Sequence, residues 1–535
     1  MLDYKIKNAN IVDGSGKPAY RGTVGIRNGK LTFQTEEAAA EELDAEGLFL
    51  CPGFIDSHSH SDRYMGTDPQ IVSLCKISQG ITTEVTGQCG SALFPVPPTR
   101  REQMRDYFTE DMNQEQLDNV TRFQTFSSYL DYVREQKLAV NFAFLQGHST
   151  LRLAVMGYEN RKPTENELEE MKSLLRESME AGCLGLSSGL IYVPGVYADT
   201  EELIELCKVI RPYGGIYATH MRSESDHVTE AVKEAIRIAE EAGVPLVISH
   251  HKVCGQRNWG ASEETLRLVE EAIGRGVRIT LDQYPYVASQ TGLCQCLPPK
   301  YFTSGAKAAA ELLKDSDMRA RIKQEMTEVP CSYNSSYQNA GGFGGILVLS
   351  GTKVKDAVGM RLDEYARRIG KDPFEAYFDL MEANEGIGSG DFFCMDEKEL
   401  ERIYMSPNTV VGTDGLNGSN DGAVHPRAFG TMVRAIRLFC KEKKLLTFEE
   451  AVRKQTSLTA ERWGLTGKGA IAEGMDADLV LLDYDRLEDK ADFLNPRRLC
   501  TGIEKVFVNG RLAYEEGKPI EAFAGKVYLR RQGRK

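Results

Sequence analysis

Two histidines separated by a single residue, His58 and His60, are the residues whose type and spacing most directly suggest chemistry. The chain has eight histidines in 535 residues, and this pair follows an apolar run that predicts a strand. Residues i and i+2 of a strand point to the same side, so both rings can reach one ion. Neutral imidazole suits zinc, with ligand distances of about 2.0 Å. The pair therefore predicts a metal site.

Other candidate donors lie where further predicted strands end. Asp414, in the sequence "TDG", offers a carboxylate that can touch both metal and substrate, and Cys89 lies beside glycines in a polar loop as a candidate thiolate donor. A single histidine or cysteine in such a position is usually structural. Several histidines at equivalent strand ends instead favour a metal centre, and there are five of them: His58, His60, His148, His220 and His250.

The elements that must position these donors are short apolar strands that alternate with amphipathic helices. Helices are predicted over residues 164–182 and 227–243, where apolar residues recur every three or four positions and the pattern ends on Gly. Eight β-then-α units predict the α/β class and a closed (β/α)₈ TIM-like barrel, whose strand ends converge on one mouth. The predicted strands are residues 48–58, 81–87, 141–148, 183–188, 215–220, 245–251, 278–284 and 408–415.

The two ends of the chain predict a second, smaller domain. Asn28-Gly29 and Asn509-Gly510 each lie between β-prone runs, and Asn-Gly favours a hairpin because both residues tolerate positive φ. We expect residues 1–52 and 468–535 to form a small β-sandwich together, and residues 53–467 to form the catalytic barrel. The interval between the last two barrel strands is too long for one βα unit, so residues 287–348 are predicted to be an inserted lid.

Composition limits the partners and the location of the protein. The net charge of −13 disfavours nucleic acid and anionic membranes, and no stretch approaches the roughly 20 apolar residues that span a bilayer. The amino-terminal sequence has no apolar signal core, and the twelve cysteines include no CxxC pair. These features predict a cytoplasmic protein with reduced thiols and a small-molecule substrate. They leave the oligomeric state open.

A set of short motifs carries a resemblance to a known family. The motifs are "PGFIDSHSHSD", "TGQCG", "GLSSGLIYVPGVYA", "ATHMRSE", "ISHHK", "DQYPY" and "GTDG" followed by "HPRAFG". Over nearly its whole length the chain resembles the N-acyl-D-amino-acid deacylases, or D-aminoacylases, of the amidohydrolase superfamily. The His-x-His pair marks only the superfamily, whereas the Cys89 motif with "GLSSGLIYVPG" and "HPR" is more specific to the deacylase branch.

The resemblance implies a particular set of metal ligands. A tightly bound zinc ion would rest on Cys89, His220 and His250. A weaker second site would be formed by His58, His60 and Asp414, with Cys89 able to bridge the two, and Asp56 would orient the histidine pair through hydrogen bonds. Many relatives bridge two metals through a carbamylated lysine at the end of strand four. Residues 183–189 contain no lysine, which favours the cysteine version over a hydantoinase- or dihydroorotase-like centre.

Amide hydrolysis also requires proton transfer and a place for the substrate. Zinc lowers the pKa of bound water toward ~7 and polarises a carbonyl, while a carboxylate must take the water's proton and deliver it to the leaving amine. Asp414 is predicted for that role by position and by resemblance. The resemblance also implies that Tyr192 contacts the acyl carbonyl, and that four residues hold the substrate carboxylate: Lys252, Tyr284, Ser289 and Arg427.

Together these features predict zinc-dependent hydrolysis of N-acyl-D-amino acids, which releases a carboxylate and a free D-amino acid. The alternative is a dipeptidase that cleaves an L-residue from a carboxyl-terminal D-residue, because it needs the same carboxylate anchor. The missing lysine disfavours a cyclic-amide hydrolase, and the complete ligand set disfavours a non-catalytic scaffold. The sequence leaves open the preferred side chain, the acyl group and the occupancy of the second metal site.

Overall fold

A computed structural model of the chain describes residues 1–67, 74–109, 112, 114–351, 353–416 and 424–530. In chain order its strands are β1 (Leu2–Ile11), β2 (Tyr20–Arg27), β3 (Lys30–Thr32), β4 (Ala39–Asp44), β5 (Phe49–Pro52), β6 (Phe54–Asp56), β7 (Ile81–Thr86), β8 (Asn141–Phe144), β9 (Gln146–Gly147), β10 (Gly185–Gly189), β11 (Ile216–His220), β12 (Leu246–Ile248), β13 (Ile279–Gln283), β14 (Ala288–Gly292), β15 (Ile346–Val348), β16 (Ser389–Phe393), β17 (Thr409–Val411), β18 (Leu479–Leu482), β19 (Ile503–Val508), β20 (Arg511–Glu515) and β21 (Lys518–Pro519).

Helices occupy much of the chain between these strands. In chain order they are α1 (Arg101–Phe108), α2 (Gln114–Val120), α3 (Phe126–Glu135), α4 (His148–Met156), α5 (Glu165–Glu180), α6 (Thr200–Ile210), α7 (Val228–Ala242), α8 (Ser262–Gly274), α9 (Ala306–Glu311), α10 (Ser316–Thr327), α11 (Ser336–Asn339), α12 (Leu362–Ile369), α13 (Pro373–Ala383), α14 (Glu397–Met405), α15 (Arg427–Ile436), α16 (Phe448–Gln455) and α17 (Ser457–Trp463). Within the described ranges, no helix is both long enough and apolar enough to cross a bilayer.

Eight parallel strands form the barrel that the sequence predicts. One arc runs β6–β7–β8 and the other runs β9–β10–β11–β12–β13–β17. A single residue separates β8 from β9, so these two act as one strand that joins the arcs. The ring closes where the backbone N–H of Asp414, just after β17, donates to His58 O at 2.7 Å. The carboxyl ends of the strands therefore meet at one mouth, which confirms the predicted fold.

The two helices predicted from periodicity are α5 and α7, and each begins and ends within two residues of its predicted bounds. Thr164 caps α5 by accepting a hydrogen bond from the backbone N–H of Glu167, which satisfies a donor at the helix start. Gly243 follows α7 with a φ of 70°, in the left-handed region where glycine carries no Cβ penalty. The apolar side of α7 is buried, as its three- and four-residue spacing requires.

Strands from both chain ends share one nine-stranded sheet, in the order β21–β20–β19–β18–β5–β1–β2–β3, with β4 also paired to β1. Asn28-Gly29 joins β2 to β3 and Asn509-Gly510 joins β19 to β20. All four turn residues have positive φ, as the predicted Asn-Gly hairpins require. The domain boundaries at residues 52 and 468 stay a prediction.

The segment between β13 and β17 contains a separate antiparallel sheet in which β16 lies between β14 and β15. This segment, here called the insertion, has an apolar cluster of its own that includes Leu293, Phe343 and Tyr377. Its secondary structure continues beyond residue 348, because β16 follows that point. The backbone N–H of Gly255, at the barrel mouth, donates to Cys394 O at 2.8 Å, and this bond ties the insertion to the barrel.

Candidate functional site

The six predicted metal donors converge at the barrel mouth, although they are distant in sequence. Each lies at the end of a barrel strand or within four residues of it, so closure of the barrel brings them together. All are buried, with at most 7% of the residue surface exposed. The donors are His58 and His60 after β6, Cys89 after β7, His220 at the end of β11, His250 after β12 and Asp414 after β17.

The Cys89 thiol lies at the centre of this cluster. Its Sγ is 3.3 Å from His58 Nε2, 3.4 Å from His250 Nε2 and 3.8 Å from His220 Nδ1. Four donor atoms, from His58, Cys89, His250 and Asp414, lie within 4.8 Å of one another. Cys89 therefore touches rings from both of the predicted ligand sets, which is what a bridging ligand must do.

Asp414 contacts both the histidine pair and the guanidinium group of Arg427. Its Oδ1 is 3.1 Å from His60 Nε2 and 3.5 Å from His58 Nε2, while its Oδ2 is 2.8 Å from Arg427 Nη1. Burial opposes ionisation of this carboxyl, but the charge of Arg427 and the hydrogen bond with His60 hold its pKa well below the usual range. Asp414 is therefore an ionised carboxylate that can accept a proton.

Three of the donors have strained backbones. Cys89, His250 and Asp414 have φ values of 53°, 37° and 48°, in a backbone region that residues other than glycine rarely adopt. Such strain costs about 1–3 kcal/mol per residue and persists where the surroundings hold it in place, most often at functional sites. Closure of the barrel mouth thus fixes the donors in positions that the local chain does not favour.

The loop that carries Cys89 occupies the space at the end of strand four. A Cβ placed on Gly189, the last residue of β10, would lie 2.2 Å from Cys89 O, closer than any real Cβ contact. A side chain there is therefore excluded by the Cys89 loop. This geometry accords with the sequence, which has no lysine at this position to carry a carbamate.

The donor set fits a transition-metal ion. Burial by itself raises the pKa of the Cys89 thiol, but His58 and His250 outweigh it and hold the pKa well below its usual range, which favours the thiolate that binds metal. His220 Nε2 and His58 Nδ1 are buried with no hydrogen-bond partner among the described residues. One thiolate, several imidazoles and a carboxylate are the ligand types that zinc prefers.

Lys76, a buried lysine that was not predicted from the sequence, supports the backbone that carries the donors. Lys76 is fully buried, and its Nζ donates to Asp56 Oδ2 at 2.7 Å and to Thr413 Oγ1 at 2.8 Å. Asp56 Oδ1 in turn accepts from the backbone N–H of His58 at 3.2 Å and of Thr413 at 2.8 Å. The predicted orienting role of Asp56 therefore has a structural basis, because it fixes the backbone at both His58 and the residue before Asp414.

Glu224 is a second residue that sequence reasoning missed. It lies four residues after His220, inside the motif "ATHMRSE", and that spacing was the available signal. Its carboxylate is 2.6 Å from Lys252 Nζ, 3.0 Å from His250 Nδ1 and 3.5 Å from His220 Nε2. Burial lowers the pKa of Lys252, but Glu224 outweighs burial and raises it. Lys252, predicted to face the substrate, is thus a cation already paired with Glu224.

The remaining predicted substrate residues line two adjacent cavities. A narrow one of about 30 Å³ is lined by His220, His250, Lys252, Tyr284 and Ser289, among others. A larger one of about 580 Å³ is lined by Cys89 and Arg427, among others. Tyr192 and Asp414 line both cavities.

Arg427 and Tyr284 meet between the two cavities. The Arg427 guanidinium lies 4.7 Å from the centre of the Tyr284 ring, and the Tyr284 hydroxyl is buried with no hydrogen-bond partner in the described parts of the chain. His425 holds this arrangement, because its Nδ1 accepts from the backbone N–H of Arg427 at 3.0 Å. Cationic and hydroxyl groups thus face a small space beside the donors.

Comparison with known proteins places this geometry among hydrolases. A profile of the amidohydrolase family matches residues 41–322 and 408–514. The D-aminoacylase of Alcaligenes xylosoxydans xylosoxydans is 36% identical over 99% of this chain and 98% of that enzyme. A solved D-aminoacylase, reported with a binuclear metal center with one-metal activation and second-metal attenuation, is 33% identical with a TM-score of 0.82 over 99% of this chain and 100% of that one.

A second solved structure is similar over the same length. It is the N-acyl-D-glutamate deacylase of Bordetella bronchiseptica, in complex with zinc and a phosphonate inhibitor that mimics the tetrahedral intermediate of the reaction. It is 31% identical, with a TM-score of 0.81 over 99% of this chain and 100% of that one. The likeness therefore extends through the barrel, the insertion and both chain ends.

Proposed function

The chain belongs to the amidohydrolase family, and from this premise we propose that it hydrolyses the amide bond of N-acyl-D-amino acids with the help of zinc. The products are a carboxylate and a free D-amino acid. The observation that carries the proposal is the Cys89 thiol among three imidazoles, with the ionised Asp414 carboxylate beside it. The deacylase relatives, which align with almost the whole chain, support the choice of substrate.

Two groups of residues would hold metal. Cys89, His220 and His250 would bind the tightly held zinc ion, and His58, His60 and Asp414 would form a weaker site that shares Cys89. When bound, zinc lowers the pKa of a water molecule toward ~7 and polarises the amide carbonyl. Asp56 would fix the backbone at His58, and Glu224 would keep the imidazoles of His220 and His250 oriented for this role.

Asp414 carries the proton in this mechanism. Its carboxylate is ionised and buried, so it accepts a proton from the attacking water and returns that proton to the nitrogen of the leaving amine. The contact with Arg427 Nη1 keeps Oδ2 fixed and leaves Oδ1 directed toward the histidine pair.

The substrate carboxylate would lie where the two cavities adjoin, because Arg427 lines the larger cavity and Tyr284 lines the narrow one. Arg427 supplies a planar cation that can bind a carboxylate through two hydrogen bonds, and Tyr284 supplies a hydroxyl that lacks a partner within the described structure. Lys252 and Ser289 line the narrow cavity. Tyr192 lines both cavities and would contact the acyl carbonyl, while the cavity of about 580 Å³ takes the acyl group and side chain.

A substrate screen combined with metal analysis tests the proposed function. The purified chain is assayed against N-acetyl- and N-formyl-D- and L-amino acids, L-Xaa-D-Xaa dipeptides and cyclic ureides, before and after chelation. We expect zinc in the protein, turnover of the D derivatives, and loss of turnover on chelation that zinc restores. Activity confined to dipeptides would establish the alternative function, and activity confined to L derivatives or cyclic ureides would refute the proposal.

The carboxylate anchor has its own test. Arg427→Ala should raise KM for N-acyl-D-amino acids by about 30-fold or more, because removing a buried cationic partner typically costs at least 2 kcal/mol. The same substrates with the carboxylate capped as an amide serve as the control. A fall in kcat that comes from the lost contact with Asp414 should appear on both kinds of substrate, whereas the rise in KM should appear only on those with a free carboxylate. An equal rise in KM on both kinds of substrate would remove Arg427 from the anchor.

A further inference from the structure

Two cysteines outside the metal-donor groups lie against each other in the wall of the narrow cavity. Cys254 Sγ and Cys394 Sγ are 3.3 Å apart, and each residue is 3% exposed. Cys254 lies in the loop after β12, whereas Cys394 directly follows β16. One thiol therefore belongs to the barrel and the other to the insertion, and both line the narrow cavity.

We propose that Cys254 and Cys394 form an oxidation site, which a small peroxide converts into a disulfide between barrel and insertion. A disulfide bond is about 2.05 Å long, so the sulfur atoms need to approach by little more than 1 Å. The two backbones already run side by side, because the N–H of Gly255 donates to Cys394 O at 2.8 Å. Both cysteines are free thiols in the structure.

Access and reactivity support this assignment. The narrow cavity adjoins the larger cavity, because Tyr192 and Gln290 line both, and this places the two thiols next to the space that the substrate would occupy. The hydrogen bond with Cys254 lowers the pKa of the Cys394 thiol from its ordinary value. This shift favours the first attack by Cys394, since the thiolate is the nucleophilic form, and the same disulfide forms if Cys254 attacks first.

The reaction balances with peroxide as the two-electron oxidant. The Cys394 sulfur attacks one peroxide oxygen, the O–O bond breaks, and hydroxide leaves as a sulfenic acid forms. The Cys254 sulfur then attacks the Cys394 sulfur, the S–S bond forms, the S–O bond breaks, and a second hydroxide leaves. The two thiol protons convert the two hydroxides into water, so two thiols are oxidised and one peroxide is reduced.

The disulfide would alter the substrate cavity directly. Cys394 Sγ is within hydrogen-bond distance of Ser289 Oγ at 3.7 Å, and drawing this sulfur toward Cys254 weakens the contact. The bond would also close a loop between two residues that are 140 positions apart, which fixes the insertion against the barrel mouth. For the substrates of the proposed function we expect KM to rise about two- to fivefold, as the loss of one neutral hydrogen bond would give.

Mass analysis of the zinc-loaded chain tests the oxidation site. The protein is treated with hydrogen peroxide, its remaining thiols are alkylated, and it is digested with trypsin. Residues 253–257 and 372–398 form tryptic peptides with one cysteine each. We expect a linked pair of these peptides, two hydrogens lighter than their sum, that dithiothreitol separates. The pair should be absent from Cys254→Ser and Cys394→Ser but present in the control Cys331→Ser, whose thiol lines neither of the two cavities.

Kinetics under the same treatment completes the test. The rise in KM should develop with the linked peptide and reverse with dithiothreitol in the wild type, while Cys254→Ser, compared with its own untreated sample, should show no such rise. Separate sulfinic acids, a link that includes Cys89, or no oxidation of either residue would overturn the proposal, and the wild-type masses decide this even if a variant fails to fold. The linked peptide is detected without any substrate, so the oxidation site can be confirmed or refuted even if the proposed function is wrong.

Discussion

The barrel side and the insertion side of the site differ in whether their buried carboxylates are paired with cations. On the barrel side, three of the buried carboxylates beside the donors face a buried cation at 2.6–2.8 Å: Asp56 with Lys76, Glu224 with Lys252, and Asp414 with Arg427. On the insertion side, Asp391 of β16 is fully buried, yet neither carboxylate oxygen has a hydrogen-bond partner in the described part of the chain. Burial raises its pKa to about 8.

Under the proposed function, this difference assigns the reaction to the barrel side. Paired and ionised groups are held in place before the substrate arrives, and such preorganised charges are what stabilise charge that develops in a reaction. The insertion side instead offers hydroxyl, thiol and neutral carboxyl groups, from Ser289, Cys394 and Asp391. We therefore expect changes on the barrel side to affect turnover and folding strongly, and changes on the insertion side to adjust substrate binding and stability.

The largest effect on the barrel side is expected from Asp414→Asn. The amide keeps the shape but cannot accept the proton, so kcat should fall by about 10³-fold while zinc content is retained. Steady-state kinetics and metal analysis measure the two quantities. Asp485→Asn, on the exposed surface, is the matched control and should behave like the wild type. A near-normal kcat in Asp414→Asn would remove this residue from the mechanism.

The next largest effect is expected on stability, from a change at Lys76. Lys76→Met leaves Asp56 without its cation in a buried place, so the free energy of unfolding should drop by about 3–5 kcal/mol. Urea unfolding of the metal-loaded chain measures it. Lys208→Met removes an exposed pair with Glu205 and should cost less than about 1 kcal/mol. If the two variants lost the same stability, the contrast between the buried network and an ordinary surface pair would fail.

On the insertion side, Asp391→Asn should increase stability at alkaline pH. Between about pH 4, where an unfolded carboxyl loses its proton, and pH 8, the folded state retains a proton that the unfolded state releases. Wild-type stability should therefore decline as pH rises through this window. Asparagine removes the titration, so the variant should be more stable than the wild type at pH 9 by about 2 kcal/mol.

Urea unfolding at pH 5, 7 and 9 checks this titration. The Asp485→Asn variant should follow the wild type at every pH, because that side chain is exposed. A wild-type stability that stays level from pH 5 to 8 would contradict the proposed state of Asp391. It would also weaken the contrast between the two sides of the site.

The smallest effect is expected from Ser289→Ala. Loss of one neutral hydroxyl from the narrow cavity should raise KM about two- to fivefold and change kcat little. The control is Ser332→Ala, because Ser332 also lies in the insertion but is exposed and lines neither cavity. A fall in kcat as large as that of Asp414→Asn would show that the insertion takes part in the reaction itself.

Local patterns were sufficient to predict the barrel and to place the candidate metal donors at the ends of its strands. Strand runs, helix periodicity and the Asn-Gly turns act over a few residues, so they can be recognised without the rest of the molecule. Because the predicted donors end strands, barrel topology alone implied that Cys89, His220 and Asp414 would meet. The pairing of Lys252 with Glu224 could not be predicted, since either side chain could equally have faced solvent.

The sequence by itself determined which chemistry is available: a cysteine, several histidines and an aspartate at strand ends, and no lysine at the end of strand four. Only the tertiary structure decided how these groups are supported. Lys76 reaches Thr413 across 337 positions, and Cys394 reaches Cys254 across 140. Such contacts form only after the barrel closes and the insertion packs on its mouth, because burial and charge pairing depend on neighbours that are distant in the chain.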